Sequence, residues 1–540
     1  MQKVRIPQNS FQYGEISDNT VMRTDSPIYA ASAQSLENMI VLPEGAVKKR
    51  HGTKFIDKLV GTLTVTNHKE IHLTSFVFDD NEEYLIAIGH GFIEPFRLLS
   101  DGTVQSLNLV SVDTQSNSLP FDKDYLHEYT TAQYGDVMFI CHPLFAPRML
   151  TRTSLTTFEV SVFSFDTDYS GHFTYQPYSR FQSSNVTISS DRIDSYGIYP
   201  SLIMPATLTT SAAYFNTTGA HIGVKLRIGR NEVTITSVTN ATTAIGIISD
   251  RLRTRLSVLN PLRTAKNSNK IEVTHINHGL QISSEIVISD ATPVGGINAN
   301  SINGTRTITE VIDDNSYKFQ AAATSNKSED GGGYIKVASK AATLNFEEQS
   351  FNALRGYPAA VTFHENRLCF AGTIAEPDTI WMSKIGGYFN FDLGDADDTD
   401  SINLVAATGD VNEIRYLKSN RDLQIFTLSD ELYIPTYLNQ AITPTNAQIR
   451  KQTPYGSEFV IPTSIDGATL FVERGGRAVR EYIYSDAEDA YIATCVSTVA
   501  SHLIADPVDM AVVHSGFKTQ ESYAAMVMSN GDIALFSSNR

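Results

Sequence analysis

Gly356-Tyr357-Pro358-Ala359-Ala360-Val361-Thr362-Phe363-His364-Glu365-Asn366-Arg367-Leu368-Cys369-Phe370-Ala371-Gly372-Thr373 reads as strand, tight turn, strand. Apolar residues alternate up to a polar Glu365-Asn366-Arg367 corner, and Leu368 to Ala371 return before Gly372 closes the run. Alternation with period two fits a pleated strand, and a short polar corner fits a hairpin. Ile380-Trp381-Met382-Ser383 and Gly387-Tyr388-Phe389-Asn390-Phe391-Asp392 continue the pattern.

The same phrase recurs on both sides. Upstream, Ile71 to Phe78 alternates, Asp79-Asp80-Asn81-Glu82 turns and Glu83 to Ile88 returns; Asp136 to His142 is followed by Arg148-Met149-Leu150. Downstream, Asp422 to Thr427 precedes Glu431 to Pro435, Gly467 to Glu473 precedes Ala478 to Tyr482, and Tyr523 to Met528 precedes Asp532 to Phe536. A two-strand unit returning every ~40–50 residues has the spacing of propeller blades. A β-sandwich array would carry the same strands and stays open as the alternative.

Between these regions, residues 166–345 are rich in Ser, Thr and Asn, with Thr and Val alternating as in strands that have one wet face. We read two small β-domains inserted here, the second closing on Gly331-Gly332-Gly333, expected as a flexible tip. The organisation is therefore an N-terminal segment 1–60, first blades 61–165, inserts 166–265 and 266–345, and remaining blades 346–540. The fold class is all-β, a discontinuous propeller-like domain with inserted small β-domains. The pattern stops just after Ile533-Ala534-Leu535-Phe536, so either the last blade is incomplete or another segment completes it. Helical periodicity is scarce; Ala30 to Met39 is the one early candidate for a short helix. Pro43-Glu44-Gly45 should turn, leaving Lys48-Lys49-Arg50 on an extended strand.

The 540 residues exceed a single core and suggest roughly three or four domains. Hydrophobic content of 41% with 10% aromatics is enough to pack them. No apolar run approaches the ~20 residues that span a bilayer, so no membrane insertion is expected. Met1 to Gln8 lacks the apolar block of a signal peptide, which implies a protein used without a secretion step of its own. Cys141, Cys369 and Cys495 are widely spaced and odd in number, reading as buried thiols rather than a disulfide framework or metal ligands.

A net charge of −17 excludes a broad basic face for nucleic acid, though the chain could border DNA without holding it. The charge is uneven: residues 1–60 carry 8 basic against 6 acidic groups, and residues 376–431 carry 4 against 12. The densest acidic run, Asp392 to Asp400, departs from an EF-hand loop because Asp400 stands where Gly is needed and Ala406 where the bidentate Glu belongs. It reads as a solvated loop. His142, His364 and His502 have no metal-site spacing, and neither a Walker loop nor a nucleophile elbow occurs. With 59 acidic residues, carboxylate pairs alone do not mark a glycosidase; a single Trp makes sugar platforms sparse, although 24 Tyr could serve.

Three segments resemble the tubular tail protein B, or nozzle, family of short-tailed bacteriophages. They are Gln8-Asn9-Ser10-Phe11 with Gly14-Glu15-Ile16-Ser17, Asn38 to Gly45 leading to Lys49-Arg50-His51-Gly52-Thr53, and Tyr357 to Phe391. His51 stands where the family usually has Pro. His278-Gly279-Leu280, Gly295 to Asn298 and Ile302-Asn303-Gly304 resemble a small β-module of phage tail proteins. The resemblance implies a non-enzymatic structural protein of the virion tail, without cofactor or metal. Six copies would form a ring below the adaptor ring, contacting tail fibres and passing double-stranded DNA without sequence-specific binding. Within that frame the charge asymmetry places Asp395, Asp397, Asp398 and Asp400 along the channel and Lys48, Lys49 and Arg50 toward the protein partner. The alternatives are a carbohydrate-binding or depolymerising propeller at a phage tail tip, and a multidomain β-scaffold for adhesion.

Overall fold

The structure is a computed structural model describing residues 8–538, apart from 57–58, 60–70, 80, 113–117, 169–172, 191–203, 229–230, 249–253, 256–258, 277, 279, 281, 340–341, 395, 407–408, 410–411, 437–440 and 515–521. It divides into two compact units, Met1–Ser164 with Arg355–Arg540, and Phe165–Leu354.

The first unit is built on the hairpin read above. Ala360–His364 pairs with Arg367–Ala371 across Glu365 and Asn366, whose φ values of 45° and 58° are those of a tight primed turn. Thr379–Met382 and Ile402–Val405 complete a four-stranded antiparallel meander. Such meanders recur as six blades. The first runs from His72 to Ser106, the second from Thr130 to Val162, and the third is the one just described. The fourth spans Ile414 to Thr453, the fifth Thr463 to Cys495, and the sixth Pro507 to Ser537 with three strands instead of four. The protein is a six-bladed β-propeller.

Face-to-face packing explains why the blade strands are apolar on both faces. Phe76, Tyr84 and Ile88 of the first blade share a core with Met138, Leu150 and Phe158 of the second. Phe139 and Phe163 meet Phe363, Phe370 and Phe389 between the second and third. Cys369 and Ile380 join Leu423 and Ile425 between the third and fourth. Tyr416 and Phe426 meet Phe471 and Tyr482 between the fourth and fifth, and Leu470 packs with Met526 between the fifth and sixth. The first strands of neighbouring blades also touch: Thr130 donates its hydroxyl to the Ala359 carbonyl at 2.7 Å, and Thr74 lies 3.2 Å from Thr131. Burial at roughly 25 cal/mol per Å² along these faces is what holds the blades together.

The second unit contains a seven-stranded sheet around Leu208, Leu226, Val233 and Phe346, and an eight-stranded assembly around Ile271, Ile288, Tyr317 and Phe319. The eight-stranded assembly begins before residue 266: Leu262–Thr264 is one of its strands, paired to Lys270–Thr274.

Two local expectations are corrected. Residues 31–39 are not helical; the helices in this region are Asp18–Val21 and Pro27–Ala30, and Met39–Val41 is a strand paired with Val47–Lys49. Asn38 at φ 57° and the β-branched Ile40 and Val41 favour that hairpin over a helical turn. Gly331-Gly332-Gly333 is not a loose tip, since Glu329–Gly331 pairs with Leu262–Thr264. Gly332 has φ 99°, and a Cβ there would sit 2.7 Å from Leu262 Cδ1, so close packing rather than freedom requires the glycine.

Candidate functional site

The acidic loop is organised by the arginine of the opening hairpin. Arg367 is fully buried and donates from Nη1 to the carbonyls of Ser383 and Asp400, at 2.6 and 2.5 Å. Its Nη2 donates to those of Asp398 and Ile442, at 3.0 and 3.1 Å. Glu365 tightens the same junction by accepting the Ile442 N–H at 2.8 Å. The guanidinium therefore satisfies carbonyls of two loops at once, which its planar fork of donors suits.

The four aspartates separate in space. Asp397 and Asp398 are exposed, and Asp395 lies outside the described residues. Asp400 is buried, with its carboxylate 2.7 Å from Lys384 Nζ and accepting the Asp397 N–H at 3.0 Å. It is neutralised inside the loop and does not present charge to a surface. Of the basic run, Lys48 is half-buried, while Lys49 and Arg50 are exposed on the Val47–Lys49 hairpin. Arg50 bonds Asn38 Oδ1 at 2.7 Å and the His51 carbonyl at 3.0 Å, so much of its donor capacity serves its own hairpin.

A second constellation gathers where the first strands of the blades begin. His72 opens the first blade, the Leu126–Glu128 turn precedes the second, and His142 ends the second strand of that blade beside it. Arg415 and Tyr416 open the fourth blade, Ser457 to Phe459 precede the fifth, and Asp509 lies near the start of the sixth. The His127 and Phe459 rings meet edge to face, 6.1 Å between centroids. In a ring of six the second and fifth blades stand opposite, so this contact lies on the propeller axis. Arg415 stacks on Phe459 with Cζ 3.9 Å from the ring centre, and its Nη1 donates to the Ser457 carbonyl at 2.6 Å.

Charge in this region is shared between blades. Glu128 lies 3.5 Å from His127 and 3.4 Å from His142. Burial opposes its ionisation, yet the His142 bond and the charges of His127 and Arg415 hold its pKa below the ordinary value. Burial, with His127 adding, pushes His72 down to about 4. Tyr416 is raised by burial; Arg415 opposes this, and Glu128, Asp509 and Glu458 reinforce it. Asp509 is exposed, yet desolvation by surrounding protein raises its pKa, against the bond from the Met510 N–H. His72 Nε2, Arg415 Nε, Tyr416 OH and Ser457 Oγ are buried without a hydrogen-bond partner. Among the described residues, no group of three or more His, Cys, Asp or Glu could hold a metal ion. Cys141 and Cys369 are buried free thiols and Cys495 is a half-buried one.

The sequence reading missed this constellation because its members are separated by up to hundreds of residues. Their one shared mark is phase: all but His142, at the end of a second strand, sit within a few residues of the start of a blade.

No family model matches the chain, and no curated protein matches it. Among solved structures it is similar to a phage phi92 endosialidase, at 11% identity over 64% of this chain and 61% of that one, with a TM-score of 0.16. The chain thus spans less than two thirds of the endosialidase. It is also similar to an auxiliary nutrient binding protein from Bacteroides ovatus ATCC 8483, at 10% identity over 62% of this chain and 82% of that one, with a TM-score of 0.23. Likenesses this distant carry no functional argument.

Proposed function

We propose that this chain is a subunit of the tail nozzle of a short-tailed bacteriophage. Six copies form a ring beneath the adaptor and portal, tail fibres attach to it, and double-stranded DNA leaves through it without being cut or read. The protein resides in the virion tail and acts as a conduit and gate, not as an enzyme, with no cofactor.

The observation that carries this reading is a propeller interrupted once, between its second and third blades, by an all-β unit. The Tyr357 to Phe391 segment that resembles the nozzle family makes the first strands of the third blade, immediately after the interruption. The acidic balance fits a duct, since a lining that neutralised phosphates would retain the polyanion.

Electron microscopy of the full chain, alone and mixed with the adaptor ring of the same phage, tests it. The expected result is a ring of sixfold or twelvefold symmetry once the adaptor is present. A different symmetry, or no association with any adaptor ring, would end the nozzle reading.

A further inference from the structure

We propose that residues 8–50 are a releasable clasp on the sixth blade, so that its junction with the first opens while the other five stay shut. The proposal does not depend on the nozzle reading. Apolar cores or ring contacts close each junction from the first blade round to the sixth. The remaining junction, between the sixth blade and the first, is open to solvent along its innermost strands. Met510 faces the fifth blade, so strand alternation turns Ala511 and Val513 toward the first. Phe76 faces the second blade, which turns Leu73 and Val77 toward the sixth. Leu73 is 49% exposed, Val77 50% and Val513 40%, and Ala511 is exposed as well. In the innermost strand of the third blade, Ala360–His364, every residue is buried or half-buried. Farther out on the same face of the first blade, Ala87 and Phe96 are buried, so the junction is open on its inner side.

The segment that precedes the first blade links the two sides. It runs on to His72, where the first blade opens, and it is bonded to the opposite side as well. The Ser17 N–H donates to the Val499 carbonyl at 2.9 Å, and the Glu15 carboxylate lies 2.9 Å from His502 Nε2. Both contacts fall on the connection between the fifth and sixth blades. The Ser537 hydroxyl, on the last strand of the three-stranded sixth blade, donates to the Val41 carbonyl at 3.1 Å. The seat is polar: a cleft of about 510 Å³ opens between Glu15, Asp18, Gln34 and His502. Among the described residues, Ile16 and Ile40 are the segment's buried apolar side chains. Stabilisation scales with apolar area buried, so two isoleucines hold far less firmly than the cores shared by the other blades. An element held by a few polar bonds beside solvent is where local opening begins.

Hydrogen exchange of the full chain, read by mass spectrometry, tests the clasp. Tyr523–Met528 of the sixth blade and Ala468–Val472 of the fifth are matched probes, since each is flanked by a strand on both sides. The sixth-blade strand should exchange about tenfold faster than the fifth-blade strand. Ser17→Pro removes the N–H that reaches Val499, and φ −70° at Ser17 already suits proline. Joined with His502→Ala, it should speed exchange in Tyr523–Met528 by about tenfold more, leaving Ala468–Val472 and Val137–His142 unchanged. His502 is exposed, so His502→Ala alone should fold and shift the sixth blade in the same direction by a smaller factor. Three results would overturn the clasp: equal exchange in the two strands, a double variant that exchanges like the parent, or faster exchange in every blade alike.

Discussion

Three buried side chains show how single residues set the behaviour of the propeller. Arg367 has no carboxylate partner within its hydrogen bonds; it spends its fork on four carbonyls. Arg367→Leu should cost about 3 kcal/mol or more and open the 392–400 loop to protease before the rest of the chain, read by denaturant melts and cleavage mapping. Arg367→Lys should not rescue it, because one ammonium cannot reach both loops. Glu431 is completely buried between the fourth and fifth blades. Burial pushes its pKa from 4.5 up to about 7, outweighing bonds from Thr453 and the Tyr455 N–H, with Asp430 adding. A raised folded-state pKa means its contribution is fully present below about 4.5 and is lost as pH rises through about 7, at most about 3 kcal/mol in all. His72 works in the opposite sense, its pKa lowered to about 4, so its contribution is lost as pH falls toward that value. Comparing Glu431→Gln with the parent isolates the first effect: the variant should lose the decline between pH 4.5 and 7. An unchanged pH profile would show that Glu431 is ionised in the fold.

At the scale of the element, the hairpin turn places two successive non-glycine residues, Glu365 and Asn366, at positive φ. Asn366 at φ 58° sits where asparagine and glycine are tolerated and β-branched residues are not. Asn366→Gly should be neutral or stabilising by a few tenths of a kcal/mol, and Asn366→Val should destabilise by about 1–2 kcal/mol in chemical denaturation. These local elements were the readable part of the chain. Alternation, polar corners and glycines lie next to one another in sequence, so strands such as Arg367–Ala371 and Ala468–Val472 could be placed closely. Short segments without periodicity misled: Ser35 to Met39 has helix-compatible residues, but Asn38 takes φ 57° and Met39 opens a strand paired with residues 47–49. The glycine triplet likewise looks loose until Leu262, some 70 residues earlier, is known to press on it. The axial constellation was least legible. His127 and Phe459 meet only because blade closure brings opposite sides of a ring together, and no local pattern encodes that.

At the scale of the whole molecule, the His127–Phe459 contact bears directly on how DNA could pass. With ring centroids 6.1 Å apart across the axis, the propeller cannot admit a duplex whose major groove alone is about 12 Å wide. A conduit built from this protein must therefore run between copies, and any charged lining must come from outer loops. Asp397 and Asp398 are exposed and available for that role, whereas Asp400 is tied to Lys384 inside its loop. The two classes of aspartate should respond differently. Asp397→Asn with Asp398→Asn should leave melting and ring assembly unchanged while increasing DNA retention by the ring at low salt. The difference should fade as the Debye length shortens to about 10 Å near 0.1 M. Asp400→Asn should instead lower stability by about 1–3 kcal/mol, since Lys384 loses a largely buried partner, and should leave retention at its parental level. Filter binding of duplex DNA across a salt series, paired with thermal melts, separates the outcomes. Retention that rises with Asp400→Asn but not with the exposed pair would place the channel surface elsewhere and remove this loop from the conduit.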